Sequence, residues 1–165
     1  MKRCLSLLIA LLCALLLSSC LAPEGEPPPE GSRALYFAAA DTHDGESAVA
    51  CEYRVLPSDD VPGLITALLS GPTEEGLVSP FPRGTYLRYW RTEPEGGVLL
   101  DFNETYGSLT GADLTLADYC LVLTLCQRSD VEYVHITVEG SDLSYWMAER
   151  LRAGDVLLTY ADLGQ

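Results

Sequence analysis

The sequence predicts an α+β fold: a single domain with an antiparallel or mixed sheet and two main helices packed on one face of it. Runs with strand character and two stretches with helical periodicity follow one another in the order strand, strand, helix, strand, strand, helix, strand. A folded part of about 130 residues has the size of one ordinary domain. The apolar content of 48% is sufficient for a core.

The first half of the domain is predicted as a hairpin followed by a helix. The apolar runs Ala34–Ala40 and Ala48–Leu56 read as two antiparallel strands. The helix is expected between the cap residues Ser58-Asp59-Asp60 and the stop signal Gly71-Pro72, with leucines and an isoleucine on one face. The chain after this helix is expected to be irregular.

The second half repeats the pattern with a longer helix. Strands are predicted at Tyr86–Arg91 and Val98–Phe102, joined by the turn Pro94–Gly97. The apolar spacing then predicts a buried helix over Leu114–Gln127, followed by a strand at Tyr133–Val138. Beyond it, we expect a short helix over residues 141–152 and a terminal strand over residues 156–160.

The N-terminal segment has the pattern of a secretory signal. Met1-Lys2-Arg3 is charged, and Cys4 to Leu17 is almost continuously apolar. The apolar run is shorter than the roughly 20 residues of a spanning helix. Leu17-Ser18-Ser19-Cys20 resembles the bacterial lipobox, which predicts a signal peptide over residues 1–19 and lipidation of Cys20. An ordinary signal peptide that ends near a cysteine is the alternative.

Residues 20–33 are predicted to be a tether between the lipid and a domain over residues 34–165. Pro, Gly and Glu dominate this segment, so it lacks the apolar side chains of a core. Its reach is on the order of 40 Å at about 3.1 Å per residue. Two or more acyl chains hold a protein stably. The expected location is the extracytoplasmic face of the cell membrane.

The charge of the chain excludes one class of partner. The formal net charge is −14, and loss of Lys2 and Arg3 with the signal would make it −16. A protein binds nucleic acid by counterion release through a basic surface, so no nucleic-acid partner is expected. An anionic bilayer should also repel the domain, which leaves the lipid and the tether to hold it at the membrane.

Three cysteines belong to the predicted domain. Cys120 and Cys126 lie on one predicted helix, roughly 9 Å apart along its axis and on different faces, which is too far for a disulfide. Cys51 pairing with one of them and three free thiols are the two alternatives. The chain has no Cys-x-x-Cys motif, so zinc and thioredoxin-like sites have no support.

Residues with catalytic chemistry are few. Neither His43 nor His135 has a nucleophile at a recognisable spacing, and the common catalytic motifs are missing from the sequence. The turn Asp41–Glu46 lacks the ligand spacing of a calcium-binding EF-hand loop. We therefore predict no enzyme, no cofactor and no metal. A hydrolase built from scattered acids such as Asp101 with Glu104 is the minor alternative.

Aromatic residues and arginines alternate in the third strand, which contains Tyr86, Tyr89 and Trp90. Such residues are common at protein interfaces, although an ordinary strand with one aromatic core face has the same pattern. Tyr145 and Trp146 raise the same two alternatives.

Short motifs distributed along the domain form a recognisable set. In chain order they are Leu35-Tyr36-Phe37, Leu68-Leu69-Ser70-Gly71-Pro72, Pro82-Arg83-Gly84-Thr85, Leu100-Asp101-Phe102, Thr124-Leu125, Val131, Val134, Val138 and Gly140. Together they resemble the GerMN domain of sporulation and spore germination. The resemblance covers residues 34–140 and does not extend to the segment after Gly140. It implies a non-catalytic α/β module in envelope proteins, often lipoproteins, of spore-forming and related Gram-positive bacteria.

The resemblance also implies an activity. The family's fold is similar to modules that build rings in secretion assemblies, so contact with an envelope protein is expected, while no functional residue is transferred. The leading hypothesis is a lipid-anchored interaction module in envelope, sporulation or germination assembly. The second hypothesis is an extracytoplasmic protein that binds a small ligand or a cell-wall glycan.

Overall fold

The first of two sheets is built from the hairpin near the start of the domain. The computed structural model describes residues 28–41, 47–142 and 150–156. Strands β1 (Ser32–Ala39) and β2 (Val49–Val55) pair antiparallel over seven residues, from Ser32 opposite Val55 to Ala38 opposite Val49. The two-residue strand β3 (Leu77–Val78) pairs with the end of β1, which gives the order β2-β1-β3. This short strand lies where the sequence predicted irregular chain.

The second sheet has four strands in the order β4-β5-β6-β7. Strands β4 (Leu87–Glu93) and β5 (Gly97–Phe102) are antiparallel, and β5 and β6 (Tyr133–Val138) are parallel. The two-residue strand β7 (Ser141–Asp142) returns antiparallel to β6. The α+β class with a mixed sheet and two main helices is therefore confirmed, with the strands divided between two sheets.

Helix α1 (Val61–Leu69) begins and ends at the residues that the sequence indicated. The Asp60 side chain accepts a hydrogen bond of 2.8 Å from the Gly63 amide, which satisfies one free N–H group of the first turn. Gly63 must lack a side chain, because a Cβ there would lie 2.4 Å from the Ser58 carbonyl oxygen. After the helix, Gly71 adopts a φ of +83°, which favours glycine and turns the chain.

Helix α2 (Gly111–Leu125) connects the two sheets, because it contacts β1 of the first sheet and β6 of the second. It also contacts α1. Apolar side chains of both helices and three strands form the core that results: Leu35, Phe37, Leu64, Ile65, Leu68, Val98, Leu100, Phe102, Leu121, Val122, Leu125, Val134 and Ile136. Within the described residues, neither helix is long and apolar enough to cross a bilayer.

The side chains of α2 and of the turn after it cover part of β1 that no strand pairs. The Gln127 amide group accepts from the Ala34 N–H at 3.2 Å and donates to the Ala34 carbonyl at 2.7 Å. Thr124 Oγ1 accepts from the Tyr36 N–H at 3.1 Å. Side chains thus satisfy backbone groups that a neighbouring strand would otherwise pair.

The prediction of a helix over residues 141–152 was wrong at its start. Glu139 and Gly140 have φ values of +51° and +77°, so both central residues of the turn are left-handed and the chain reverses into a hairpin. Leu151 then bridges to Val134, and Ala153–Asp155 form a single 3₁₀ turn. Residues 143–149, and all but the first residue of the predicted strand at 156–160, lie outside the described residues.

Candidate functional site

The most exposed aromatic residues of the second sheet lie along its edge. Strand β4 is one of the two outermost strands of that sheet. Tyr86, directly before β4, and Tyr89 and Trp90 within it are 56%, 55% and 37% exposed. Tyr89 lies opposite Asp101 and Trp90 opposite Leu100, so their side chains point to different faces of the sheet. We call Tyr86, Arg88, Tyr89, Trp90 and Arg91 the β4 surface. The exposed aromatic side chains thus lie on both faces of the sheet at this edge.

The arginines of the β4 surface are held by neighbouring acids. Arg88 Nη1 lies 2.8 Å from Asp101 Oδ2 and 3.0 Å from Glu139 Oε2. The pairing of β4 with β5 is irregular between Leu87 and Tyr89, at the position of Arg88. Arg91 lies 3.1 Å from Glu93. Local charge is therefore compensated along a strand whose aromatic rings remain exposed.

Asp101, a candidate catalytic acid, is buried and serves the fold. Its carboxylate accepts hydrogen bonds from Thr137 Oγ1 at 2.8 Å and the Gly140 amide at 2.7 Å, in addition to the Arg88 contact. These bonds join β5 to β6, to the hairpin turn and to β4. No hydrogen bond or ion pair among the described residues joins Asp101 to Glu104, and Glu139 is the acid that shares Arg88 with Asp101.

His135 lies between two carboxylates. Its Nε2 atom is 2.8 Å from Asp142 Oδ1, and its Nδ1 atom is 3.4 Å from Glu93 Oε2. The two acids contact opposite ring nitrogens, so they do not converge on one metal position. The described part of the chain has no group of three or more His, Cys, Asp or Glu residues that could hold a metal ion.

Other residues singled out from the sequence lie outside the described ranges: Cys20, His43, Tyr145 and Trp146. The structure therefore does not test the lipidation of Cys20 or the role of the second aromatic pair.

The thiols of the domain are not activated nucleophiles. Cys51, Cys120 and Cys126 are free, and Cys120 is fully buried. Burial raises the pKa of all three thiols, so they are protonated at neutral pH. The thiolate is the nucleophilic form of cysteine, and burial of these three side chains lowers the fraction of thiolate.

Two buried acids that the sequence analysis did not single out, Glu52 and Asp118, have pKa values shifted in opposite directions. The Glu52 carboxylate accepts from the Thr73 and Glu74 amides at 2.8 Å each and contacts Arg54. Burial raises the pKa of Glu52, but the amides of Glu74 and Thr73 and the Arg54 guanidinium together lower it below its ordinary value.

The contacts of Glu52 and Arg54 give the Gly71-Pro72 segment a structural role. Arg54 also donates to the Gly71 carbonyl and to Ser70 Oγ, so it binds the carboxyl end of α1. Glu52 and Arg54 together fix the loop after Gly71-Pro72 against β2. The motif therefore serves the fold.

Asp118 is the second buried acid, and among the described residues it has a single hydrogen-bond donor, the Tyr106 hydroxyl. Burial raises the pKa of Asp118 to about 7, and the Tyr106 hydrogen bond offsets part of that rise. A polar residue in the middle of an apolar helix was the only sequence signal for this pair.

The comparisons with known proteins give a family from the sequence and a fold from the structure. A family model described as Germane, sporulation and spore germination, matches residues 34–144. The first GerMN domain of the sporulation protein GerM from Bacillus subtilis is similar in structure, with a TM-score of 0.64 and 18% identity, over 75% of this chain and 98% of that domain.

A structure of the tandem GerMN domains of the same Bacillus subtilis protein gives a TM-score of 0.64 and 17% identity, over 76% of this chain and 47% of that one. This chain thus spans about half of the tandem protein. At these identities, the structural similarities show the fold. No curated protein matches the sequence.

Proposed function

This chain belongs to the sporulation and spore germination family, and from that premise we propose that it is a membrane-anchored lipoprotein whose domain docks an envelope protein through the β4 surface. The family is described by a cellular process, sporulation and germination, and not by an enzymatic activity. Catalysis has no positive support in the described residues, where the candidate acid Asp101 is fully engaged in the fold.

The exposure of the aromatic side chains of the β4 surface is the observation that supports the proposal. Tyr, Trp and Arg are the residue types that contribute most to protein interfaces. Tyr86 and Tyr89 are each more than half exposed, although a tyrosine ring carries a large apolar surface. An outermost strand also has a row of unpaired backbone groups that a partner strand can pair.

The anchor is the second part of the proposal. The lipobox-like Leu17-Ser18-Ser19-Cys20 supports attachment of a diacylglycerol to Cys20. The acidic, proline-rich tether supports a domain that stands away from an anionic bilayer. Mass spectrometry of the wild-type chain is expected to show an N-terminus at Cys20 with an attached lipid, and a Cys20→Ser variant is expected to lack that lipid. A wild-type N-terminus that is uncleaved or carries no lipid would contradict the anchor.

A crosslinking experiment tests the docking surface. A photo-reactive amino acid at Tyr89 of the full chain, expressed in its own cells, is expected to capture a specific envelope protein. The matched control places the same amino acid at Tyr53, a tyrosine on β2 that is 47% exposed. Capture of the partner from position 89 alone supports the proposal. Equal capture from both positions, or capture from neither, contradicts it.

A glycan ligand is the second candidate function, and the same exposed aromatic rings favour it. Sugar rings present C–H groups that pack on aromatic faces, and Trp90 and Tyr89 lie next to arginines that can donate hydrogen bonds. Binding of the full chain to isolated wall polysaccharide, weakened by Trp90→Ala and unchanged by Tyr53→Ala, would support this function. Absence of binding to a panel of wall glycans would remove it.

A further inference from the structure

The Tyr106–Asp118 pair is a buried polar contact in apolar surroundings. Asp118 lies on α2 and is 4% exposed, while Tyr106 is fully buried in the 3₁₀ turn Tyr106–Ser108. The Tyr106 ring stacks on Phe102 at 4.7 Å between centroids and lies 6.5 Å from Phe81. A carboxyl group in such a place needs several donors to remain charged without cost. Within the described ranges, the Tyr106 hydroxyl is the one hydrogen-bond donor to Asp118.

One proton therefore sets the charge of the pair. Burial raises the pKa of Asp118 to about 7. Burial and the Asp118 carboxylate raise the pKa of Tyr106 well above its ordinary value, so the phenol keeps its proton. Among the described residues, Tyr106 is the titratable group that acts on Asp118, and Cys120 on α2 acts on Tyr106. The neighbouring rings from β5 and the loop before β4 are those of Phe102 and Phe81, which carry no charge.

The turn that contains Tyr106 is connected to the β4 surface through Asn103. The Tyr106 N–H donates to the Asn103 carbonyl at 3.0 Å. Asn103 Oδ1 accepts from the Tyr86 N–H at 3.0 Å, and its Nδ2 donates to the Gly84 carbonyl at 3.1 Å. Asn103 thus holds the first residue of the β4 surface and lies three positions before Tyr106 in the chain.

We propose that the Tyr106–Asp118 pair is a proton-dependent latch that orders the start of the β4 surface when Asp118 is protonated and loosens it when Asp118 is ionised. The inference rests on the proposed function, because it assigns a regulation to the surface named there. The neutral pair packs in the core. The ionised pair places an uncompensated charge under the turn, which favours opening of that turn and release of Asn103. A preordered surface binds more tightly, because less ordering entropy is lost.

Hydrogen exchange of the Tyr86 amide tests the latch without any partner. The experiment uses the full-length chain after removal of the signal, and exchange rates are corrected for their intrinsic pH dependence. The equilibrium constant for an opening that exposes Asp118 is expected to rise about thirtyfold between pH 5.5 and pH 8.5. In Asp118→Asn, this pH dependence is expected to disappear. An equal pH dependence in wild type and Asp118→Asn would overturn the latch.

A second measurement needs no variant. The side-chain carboxyl carbon of Asp118, followed by NMR, is expected to titrate near pH 7. The amide signal of Tyr86 and the side-chain amide signals of Asn103 are expected to move with the same midpoint. A midpoint near pH 4 for Asp118, or signals of Tyr86 and Asn103 that do not follow it, would overturn the inference.

Crosslinking from Tyr89 separates the latch from the docking proposal. If docking and latch are both right, wild-type capture falls several-fold from pH 5.5 to pH 8.5 while Asp118→Asn capture stays constant. If the exchange and NMR results hold but position 89 captures nothing, the docking proposal fails, the latch in the fold stands, and its role in partner binding is overturned.

Discussion

Two of the outermost strands, β2 in the first sheet and β4 in the second, differ in how their side chains are used. On β2, Glu52 and Arg54 are fastened to the loop after α1 and to the carboxyl end of that helix. On β4, all five residues from Arg88 to Thr92 are exposed, on both faces of the strand. The first strand fixes other parts of the fold. The second exposes its aromatic side chains to solvent and is tied to its own sheet through Arg88.

This difference indicates which edge is available for a partner. A strand whose polar groups hold the fold together cannot change its neighbours without a loss of stability. Strand β4 has an irregular pairing and exposed aromatic rings, so fewer of its side chains hold the fold together. Substitutions on β2 should therefore reduce stability, and substitutions on β4 should reduce binding.

The largest effect on stability is expected from Glu52→Ala. The change leaves the Arg54 charge without its acid and the Thr73 and Glu74 amides without their acceptor. We expect a loss of about 3 to 5 kcal/mol in the free energy of unfolding, measured by urea denaturation. Glu74→Ala is the matched control, because it removes a neighbouring carboxylate while the amide that binds Glu52 stays. A loss below about 1 kcal/mol for Glu52→Ala would show that β2 is not a structural edge.

A smaller loss is expected from Gln127→Ala. The change removes both side-chain bonds to Ala34 and leaves that part of β1 without partners. We expect a cost of about 1 to 2 kcal/mol, measured by the same denaturation. Thr124→Val, which removes one acceptor, should cost less than Gln127→Ala, and the reverse order would contradict the assigned hydrogen bonds.

The pH dependence of stability should distinguish the two buried acids. The pKa of Glu52 is lowered on folding, so its contribution is present above its ordinary value of 4.5 and is lost as the pH falls through the folded value. The pKa of Asp118 is raised from 3.8 to about 7, so stability is lost as the pH rises through that window.

Glu52→Gln should therefore flatten the acid side of the stability profile, and Asp118→Asn the neutral side. Thermal unfolding across the pH range measures both. If Glu52→Gln flattened the neutral side and Asp118→Asn the acid side, the assigned directions of the two pKa shifts would be contradicted.

The smallest effect on stability is expected from Tyr86→Ala with Tyr89→Ala. Both rings are mostly exposed, so the free energy of unfolding should change by no more than about 1 kcal/mol in total. Urea denaturation provides the measurement. A loss of several kcal/mol would show that β4 is part of the structural framework in the way that β2 is.

Periodicity and caps predicted most of the fold, because helix and strand patterns are local. The strands β1, β2, β4, β5 and β6 and both helices lie within a few residues of their predicted bounds. The hairpin at Glu139-Gly140 was missed, because a left-handed glutamate leaves no clear signal in a sequence. The division into two sheets depends on pairing between distant segments, which local patterns do not specify.

The candidate site was predicted in part. The aromatic and arginine pattern of β4 was identified, with two interpretations left open, and the structure exposes Tyr86 and Tyr89. The burial of Glu52 was not predictable from its strand, where alternation would place Tyr53 and Val55 inside, whereas both are exposed. Its partners come from a loop more than twenty residues later, a tertiary contact that β2 alone does not reveal.

The most direct test of the account compares partner binding by two tyrosine variants of the full chain. Tyr86→Ala with Tyr89→Ala should weaken binding of the crosslinked partner by about tenfold or more, as expected for interface residues worth more than about 1.4 kcal/mol. Tyr53→Ala on β2 should leave the dissociation constant unchanged within about twofold. Equal dissociation constants for the two variants would contradict the claim that β4 is the docking edge.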